Sequence, residues 1–102
     1  MIHVVAIITA KPGMREAILK EFHANMPAVH AEKGCIEYGP AVDAGGIGSF
    51  QAKFGPDTFV VIEKWEGPEA LRAHGTSPRM AAYAAKTREM IASRVIHVLQ
   101  PG

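Results

Sequence analysis

The sequence predicts an α+β fold of the ferredoxin-like type, in which a split βαβ pattern forms a four-stranded antiparallel sheet with helices on one face. Two observations predict it. Short β-branched runs alternate with stretches of helical periodicity, and their order along the chain is β, α, β, β, α, β. At 102 residues the chain has room for a single domain, residues 1–102, and its apolar fraction of 48% is typical of globular proteins.

The first strand and the first helix are predicted from a change in the spacing of apolar residues along the chain. Residues 2–9 are rich in β-branched side chains and end at a Lys-Pro-Gly turn, which predicts a strand. From Met14 the apolar residues recur every three or four positions, which predicts an amphipathic helix ending near Gly34. Pro27 lies inside this helix and lacks an amide donor, so we expect a kink or a short break near Asn25.

The middle of the chain contains two strands and a glycine-rich connection. Cys35 to about Val42 is predicted as strand two, and Thr58–Trp65, with its run of β-branched and aromatic residues, as strand three. The stretch 43–56 between them holds four glycines. It is therefore predicted as a long connection, with room for a short strand of its own at 50–54.

Prolines mark the starts of the two remaining helices. Gly67-Pro68 opens a short helix through His74, and Ser77-Pro78 opens a longer one through about Ala92. The last strand is predicted over residues 95–99.

Both faces of the predicted sheet are apolar. In strand one, Val4 and Ala6 point to one face while Val5 and Ile7 point to the other. The helices cover only one face, and a soluble monomer rarely leaves an apolar surface as large as the second face exposed. We therefore expect a homodimer in which two sheets face each other.

Composition and motifs exclude several classes of function. Eleven basic against ten acidic residues give a net charge of +1, too balanced for a surface that follows a nucleic acid backbone. No glycine-rich nucleotide motif precedes a helix, and the histidines and the lone Cys35 lack metal-ligand spacing, so no nucleotide cofactor or metal is expected. Because no leader or membrane-spanning run is seen, a cytoplasmic protein without a membrane partner is expected.

The segment from strand three into the next helix carries the candidate chemistry. By alternation Glu63 and Trp65 share a face with Phe59, so burial would raise the pKa of Glu63; the alternative is a solvated or arginine-paired carboxylate at the sheet rim. Trp65 either packs or walls a pocket. His74 precedes an irregular connection and is a candidate proton acceptor, or else a cap for its helix. The hydroxyl of Tyr83 could reach the same pocket.

Several of these segments resemble one known family. The runs 32–38, 59–66 and 69–74, followed by Ser77-Pro78, resemble the antibiotic biosynthesis monooxygenase superfamily and most closely its bacterial quinol monooxygenase branch. The resemblance extends over nearly the whole chain. It implies a dimeric α+β barrel and the oxidation of quinols or polyphenols by molecular oxygen without a cofactor. Haem is not expected, because strand one lacks the asparagine of the haem-degrading relatives.

The resemblance and the residues together predict a cofactor-free quinol monooxygenase with a small aromatic substrate. Either His74 or Glu63 would deprotonate the quinol, the aromatic side chains would hold the ring, and Arg79 would stabilise charge that develops on oxygen. The predicted catalytic residues are His74, Glu63 and Trp65, and the predicted substrate-binding residues are Phe59, Tyr83, Arg79 and Tyr38.

Two other functions remain open at this point. An isomerase of a small phosphorylated autoinducer-type sugar would use the same acid and base, and would need Arg72, Arg79 or Lys86 to converge on the phosphate. A dimeric ligand-binding or stress protein without turnover would have an apolar pocket in which no titratable group is perturbed. The near-zero net charge favours an uncharged aromatic substrate and weighs modestly against a phosphorylated one.

Overall fold

A computed structural model describes residues 1–102 and confirms the ferredoxin-like α+β fold. Four strands form one antiparallel sheet, and three helices and a 3-10 turn complete the chain. The elements in chain order are β1 (Ile2–Ala10), α1 (Arg15–His30), β2 (Cys35–Ala41), β3 (Thr58–Trp65), α2 (Pro68–Gly75), α3 (Pro78–Thr87), the 3-10 turn (Arg88–Met90) and β4 (Ile91–Leu99).

The sheet has the strand order β2-β3-β1-β4, so β3 and β1 form its centre. β1 pairs with β3 along its whole length, from Ile2 opposite Trp65 to Thr9 opposite Thr58. β4 pairs with the other edge of β1, and the register shifts once, between Thr9 and Ala10. This arrangement places residues from β2, β3, β1 and β4 side by side on one face.

The hydrophobic core lies between this face and the helices. Alternate residues of β1 are buried, and α1 contributes Ile18, Phe22 and Val29 at helical spacing. Burial of each such side chain contributes about 1.5–3 kcal/mol to stability. The alternation is the one that the sequence predicted, because each side chain of a strand points opposite to its neighbours.

Helix α1 differs from the prediction in one respect, since it runs through Pro27 without the expected break near Asn25. Proline removes only one backbone donor. The buried stripe on either side of it, which includes Phe22 and Val29, continues across the proline. Packing of that stripe against the sheet therefore outweighs the lost hydrogen bond.

The predicted end of the last helix is wrong. Helix α3 ends at Thr87 rather than near Ala92, and β4 starts at Ile91, four positions before the predicted Val95. Pairing with β1 causes the difference, because Ala10 lies opposite Ile91 and the Lys11 amide donates to the Met90 carbonyl at 2.9 Å. Long-range strand pairing thus takes residues that local periodicity assigns to the helix.

No strand forms at residues 50–54, where the sequence allowed one. Asp43 organises the connection instead. Its carboxylate accepts hydrogen bonds from the amides of Phe54 at 3.0 Å and Gly55 at 2.8 Å, and the Gln51 side chain donates to the carbonyl of Ala44 at 2.8 Å. These bonds close the connection on itself rather than onto the sheet.

The second face of the sheet is apolar at its centre and no helix covers it. It carries Val5, Ile7 and Val60, which are half-buried, and Ile62 and Val95, which are 37% and 49% exposed. The homodimer expected from this face stays a prediction. None of the helices combines the length and the apolar character needed to cross a lipid bilayer.

Candidate active site

A cavity of about 690 Å³ lies between the covered face of the sheet and helices α2 and α3. This volume falls within the roughly 300–1,000 Å³ typical of small-molecule sites. Its walls are mostly apolar, with a few polar groups at defined positions. The titratable side chains that line it are Tyr38, Glu63, His74, Tyr83, Arg88 and Arg94.

Glu63 is the only acidic residue in the wall of this cavity. The strand register places it between Tyr38 on β2 and Val4 on β1, and it is only 8% exposed. Burial raises the pKa of the Glu63 carboxyl, while the hydrogen bond from Trp65 and the charge of His74 oppose that rise. The carboxylate is therefore buried, and the solvated or arginine-paired alternative is wrong.

Trp65 positions this carboxylate. Its indole Nε1 donates to Oε1 of Glu63 at 2.9 Å, and the ring itself is completely buried. Trp65 does not line the cavity; its ring lies against that of His74, with the two centroids 4.7 Å apart. Trp65 thus acts through its two neighbours rather than by direct contact with a bound molecule.

His74, near the end of α2, faces the cavity from the helical side and is 5% exposed. Its Nδ1 lies 3.0 Å from Oε1 and 3.3 Å from Oε2 of Glu32. An ionised carboxylate only accepts hydrogen bonds, so with Glu32 ionised Nδ1 carries the hydrogen and Nε2 keeps its lone pair. No other hydrogen bond within the chain engages this ring, which leaves Nε2 free to accept a proton.

Glu32 was missed by the sequence analysis as a member of the site. It lies in the turn between α1 and β2, 42 residues before His74. A positive φ of 84° at Gly34 shapes this turn, and a side chain there would meet the Cβ of Ala70 at 2.6 Å. The one available signal was its place in the Glu-Lys-Gly-Cys run, which supports the family resemblance but reveals no contact.

Aromatic rings form the wall next to His74, and the ring of Tyr38 meets that of His74 with centroids 5.3 Å apart. Phe22 stacks on Tyr38 with centroids 5.0 Å apart and meets Tyr83 edge-on at 6.1 Å. Burial raises the pKa of Tyr38 well above its ordinary value and that of Tyr83 to about 12. Both phenols are therefore neutral near pH 7 and able to donate a hydrogen bond to a bound molecule.

Two predicted binding residues do not reach the cavity. Phe59 is 1% exposed and packs in the core against Phe22, with ring centroids 6.1 Å apart. Arg79 lines a separate, shallow depression of about 270 Å³, which it shares with Glu32. Arg79 stands in the first turn of α3, next to the cavity-lining Met80, but its side chain belongs to the other depression.

The cavity instead contains two other arginines, Arg88 in the 3-10 turn and Arg94 on β4. The sequence analysis named neither, because the predicted helix ran past Arg88 and the predicted strand began after Arg94. With β4 starting at Ile91, Arg94 falls on the covered face, opposite Ile8. Arg72 and Lys86 were the other two candidates for binding a phosphate. Neither of them lines the cavity.

Together these residues make an apolar cavity with one end equipped for proton transfer. A histidine with a free Nε2, aligned by a carboxylate, lies beside a buried carboxyl whose pKa is raised. The Ser-His-Asp arrangement of hydrolases uses the same alignment of a histidine by a carboxylate. No group of three or more His, Cys, Asp or Glu side chains is placed to hold a metal ion.

Comparisons with known proteins agree on one family. A family model described as antibiotic biosynthesis monooxygenase matches residues 1–86. The protein named "Probable quinol monooxygenase YgiN" from Escherichia coli is 39% identical over 104 residues, covering 100% of this chain and 99% of that protein. Two crystal structures, PA3566 from Pseudomonas aeruginosa and Rv0793 from Mycobacterium tuberculosis, each share 25% identity and a TM-score of 0.80. They cover 99% of this chain, and the matches extend over 93% and 94% of their own chains.

Proposed function

This chain belongs to the antibiotic biosynthesis monooxygenase family, and from that premise we propose that it oxidises small quinols or related polyphenols with molecular oxygen, without a metal, flavin or haem. The observation that carries the proposal is the His74 ring, which lines an apolar cavity, is aligned by Glu32 at Nδ1 and makes no hydrogen bond within the chain at Nε2. The E. coli relative, named as a probable quinol monooxygenase, supports the class of substrate.

The overall reaction balances without a further reductant. A hydroquinone and one molecule of oxygen give a hydroxyquinone and one molecule of water. One oxygen atom enters the ring in place of hydrogen, and the other leaves as water. The ring supplies all four electrons, two in becoming a quinone and two in being hydroxylated. No separate electron donor is therefore needed.

Proton removal is the step that the residues at this end of the cavity would catalyse. Nε2 of His74 takes the proton from a quinol hydroxyl, and Glu32 stabilises the imidazolium that results. The electron-rich anion then transfers an electron to oxygen, and the two radicals combine to form a hydroperoxide at a ring carbon. Loss of water from this hydroperoxide gives the hydroxyquinone, and a protonated Glu63 can supply the proton that the leaving oxygen needs.

The two alternatives differ in how well they fit the site. The three cations that the isomerase alternative named, Arg72, Arg79 and Lys86, do not line the cavity, but Arg88 and Arg94 do, and oxygen-independent turnover would identify an isomerase. A binding protein without turnover was expected to lack perturbed titratable groups, whereas burial raises the pKa of Glu63 in the cavity wall.

The proposal is tested by oxygen consumption with a panel of hydroquinones, after subtraction of enzyme-free autoxidation. His74→Ala should lower the enzyme-dependent rate by roughly 100-fold or more, as expected for loss of a general base. His23→Ala, which removes an exposed histidine from α1, is the matched control and should leave the rate unchanged. Equal rates for His74→Ala and wild type would remove His74 from the mechanism, and no rate above background for wild type would refute the oxidation itself.

We also propose that the chain forms a homodimer through the uncovered face of its sheet. The support is the apolar centre of that face, around Val5, Ile7 and Ile62, which exceeds what soluble monomers usually expose. Analytical ultracentrifugation at micromolar concentration should give the mass of two chains, and Ile62→Lys should shift the protein towards the monomer. A wild-type monomer under these conditions would contradict the proposal.

A further inference from the structure

We propose that the quinol carries an anionic arm, a carboxylate or a phosphate, which Arg88 and Arg94 bind at the end of the cavity away from His74. The inference rests on the proposed function for the identity of the ring. The proposed anion site consists of Arg88 and Arg94, which are not the residues proposed for proton transfer. Anion binding can therefore be measured without turnover.

The two arginines have no acidic partner in the chain. The four ion pairs of the protein involve Arg15, Lys64, His74 and Lys86, and no hydrogen bond is made by Arg88 or Arg94 side chains. The one acid in the cavity wall, Glu63, is already bonded to Trp65. Both arginines are exposed at the cavity wall, and a guanidinium without a counter-ion there is available to bind anionic oxygens through two parallel hydrogen bonds.

The strand register separates Arg94 from the proton-transfer end, and Arg88 lies in the 3-10 turn that leads into the same strand. Glu63 lies opposite Val4, whereas Arg94 lies opposite Ile8, four residues further along β1 and on the other side of it. Four residues along a strand span about 13 Å and two strand spacings about 10 Å, so the two Cα atoms are roughly 16 Å apart. This separation leaves room between Glu63 and Arg94 for a quinol ring that carries a side arm.

The floor between the two ends suits such an arm. Ala6 is small and leaves space above the middle of the sheet, and Ile96 lies directly opposite it on β4. Ile96 and Val98 line the cavity and are more than half exposed, at 52% and 56%, so a bound molecule would bury apolar surface there.

This inference replaces the expectation of an uncharged substrate. The net charge of +1 led to that expectation, but a sum over the chain does not describe the charge of one cavity. The cavity wall contains two arginines without an acidic partner and one acid, Glu63. Burial raises the pKa of Glu63, which favours its neutral form. The cavity is therefore positive at one end although the chain as a whole is almost neutral.

The first test measures binding with a probe that cannot be oxidised. Trp65 is the only tryptophan, and its quenching should report binding of 2,5-dimethoxyphenylacetate and of the matching primary amide. Wild type should bind the acid at least tenfold more tightly than the amide, and the double variant Arg88→Gln/Arg94→Gln should lose this preference. Arg72→Gln, on the outer surface of α2, is the matched control and should keep it. Equal affinity of wild type for acid and amide would overturn the inference.

The second test measures turnover and separates the two proposals. With 2,5-dihydroxyphenylacetate, 2,5-dihydroxybenzyl phosphate and methylhydroquinone as substrates, kcat/KM should favour an anionic quinol at least tenfold, and the better anion identifies the arm. The double variant should lose this advantage while its rate with methylhydroquinone changes less than twofold. An equal loss on neutral and anionic quinols would place the arginines at the ring and overturn the inference. Selective binding of the acid without any oxygen uptake would support the anion site and refute the monooxygenase proposal.

Discussion

Replacing Trp65 with phenylalanine should destabilise the protein by an amount that depends on pH, because the change removes one N–H donor from a buried carboxylate. The indole Nε1 donates to Oε1 of Glu63 at 2.9 Å, and no other donor bonds that carboxyl group. Phenylalanine keeps most of the ring in the core, so the variant tests the hydrogen bond more than the packing. Loss of the buried atoms alone should cost about 1 kcal/mol.

The remaining cost depends on whether Glu63 is ionised. An unpaired buried acceptor costs about 1–3 kcal/mol, so the total should be about 2–4 kcal/mol when Glu63 is neutral and larger when it is ionised, because a charged acceptor costs more. Burial raises the pKa of Glu63 in the folded state above its ordinary 4.5. The folded state therefore holds this proton more tightly than the unfolded state. The resulting stability is fully present below the unfolded pKa and is lost as pH rises through the folded pKa. Trp65→Phe raises that folded pKa further, so the variant loses more stability than wild type on the way to neutral pH.

Urea unfolding at pH 4.5 and pH 8.0, at one fixed protein concentration, measures this difference. The cost of Trp65→Phe should be about 2–4 kcal/mol at the lower pH and larger by about 1 kcal/mol or more at the higher one. In a Glu63→Gln background the same replacement should cost an amount that does not change with pH. An equal cost at both pH values in the native background would show that the hydrogen bond does not stabilise a charged Glu63.

Further predictions concern the turn that carries Glu32. Gly34→Ala should cost roughly 2–4 kcal/mol in urea unfolding, because the φ of 84° disfavours a side chain and the new Cβ would meet Ala70 at 2.6 Å. Gly13→Ala, with a φ of 78° and open space around it, should cost only about 1 kcal/mol, and an equal cost at both glycines would contradict the steric explanation. Glu32→Gln should lower kcat for quinol oxidation roughly 10- to 100-fold while KM changes less than twofold, as expected when a residue only aligns the base. Glu21→Gln, which breaks a surface pair with a lysine, should leave kcat unchanged, and an unaffected kcat in Glu32→Gln would remove its positioning role.

The fold was predictable wherever local pattern and long-range pairing agree. Strand three was predicted at Thr58–Trp65 and forms over those residues, because alternation and β-branched content reinforce its pairing on both sides. Residues 88–94 are the counterexample. Their local sequence continues a helical pattern, but the edge of β1 offers hydrogen bonds as far as Ala10, and β4 extends to meet it. Local periodicity cannot reveal pairing with a strand some 80 residues away in sequence.

Site residues could be predicted where the strand or helix that carries them determines the direction of the side chain. Glu63 follows from the alternation of β3, and His74 from the end of α2, and the structure brings both to one cavity. Glu32 could not be found in this way, because its contact with His74 depends on how the α1–β2 turn packs against α2. Arg88 and Arg94 were missed because the predicted helix ran past Arg88 and the predicted strand began after Arg94, whereas the direction of Arg79 depends on how the first turn of α3 packs.

The turn that carries Glu32 also explains how His74 keeps its alignment. The Glu66 amide, just after β3, donates to the carbonyl of Gly34 at 2.9 Å, which ties the turn to the connection that leads into α2. Gly34 also lies against Ala70 in the first turn of that helix. Glu32 and His74 are therefore anchored to the same short stretch of backbone, and small movements of α2 carry both residues together. The arginine end has no such link to this stretch, because it is built from the 3-10 turn and the edge strand β4.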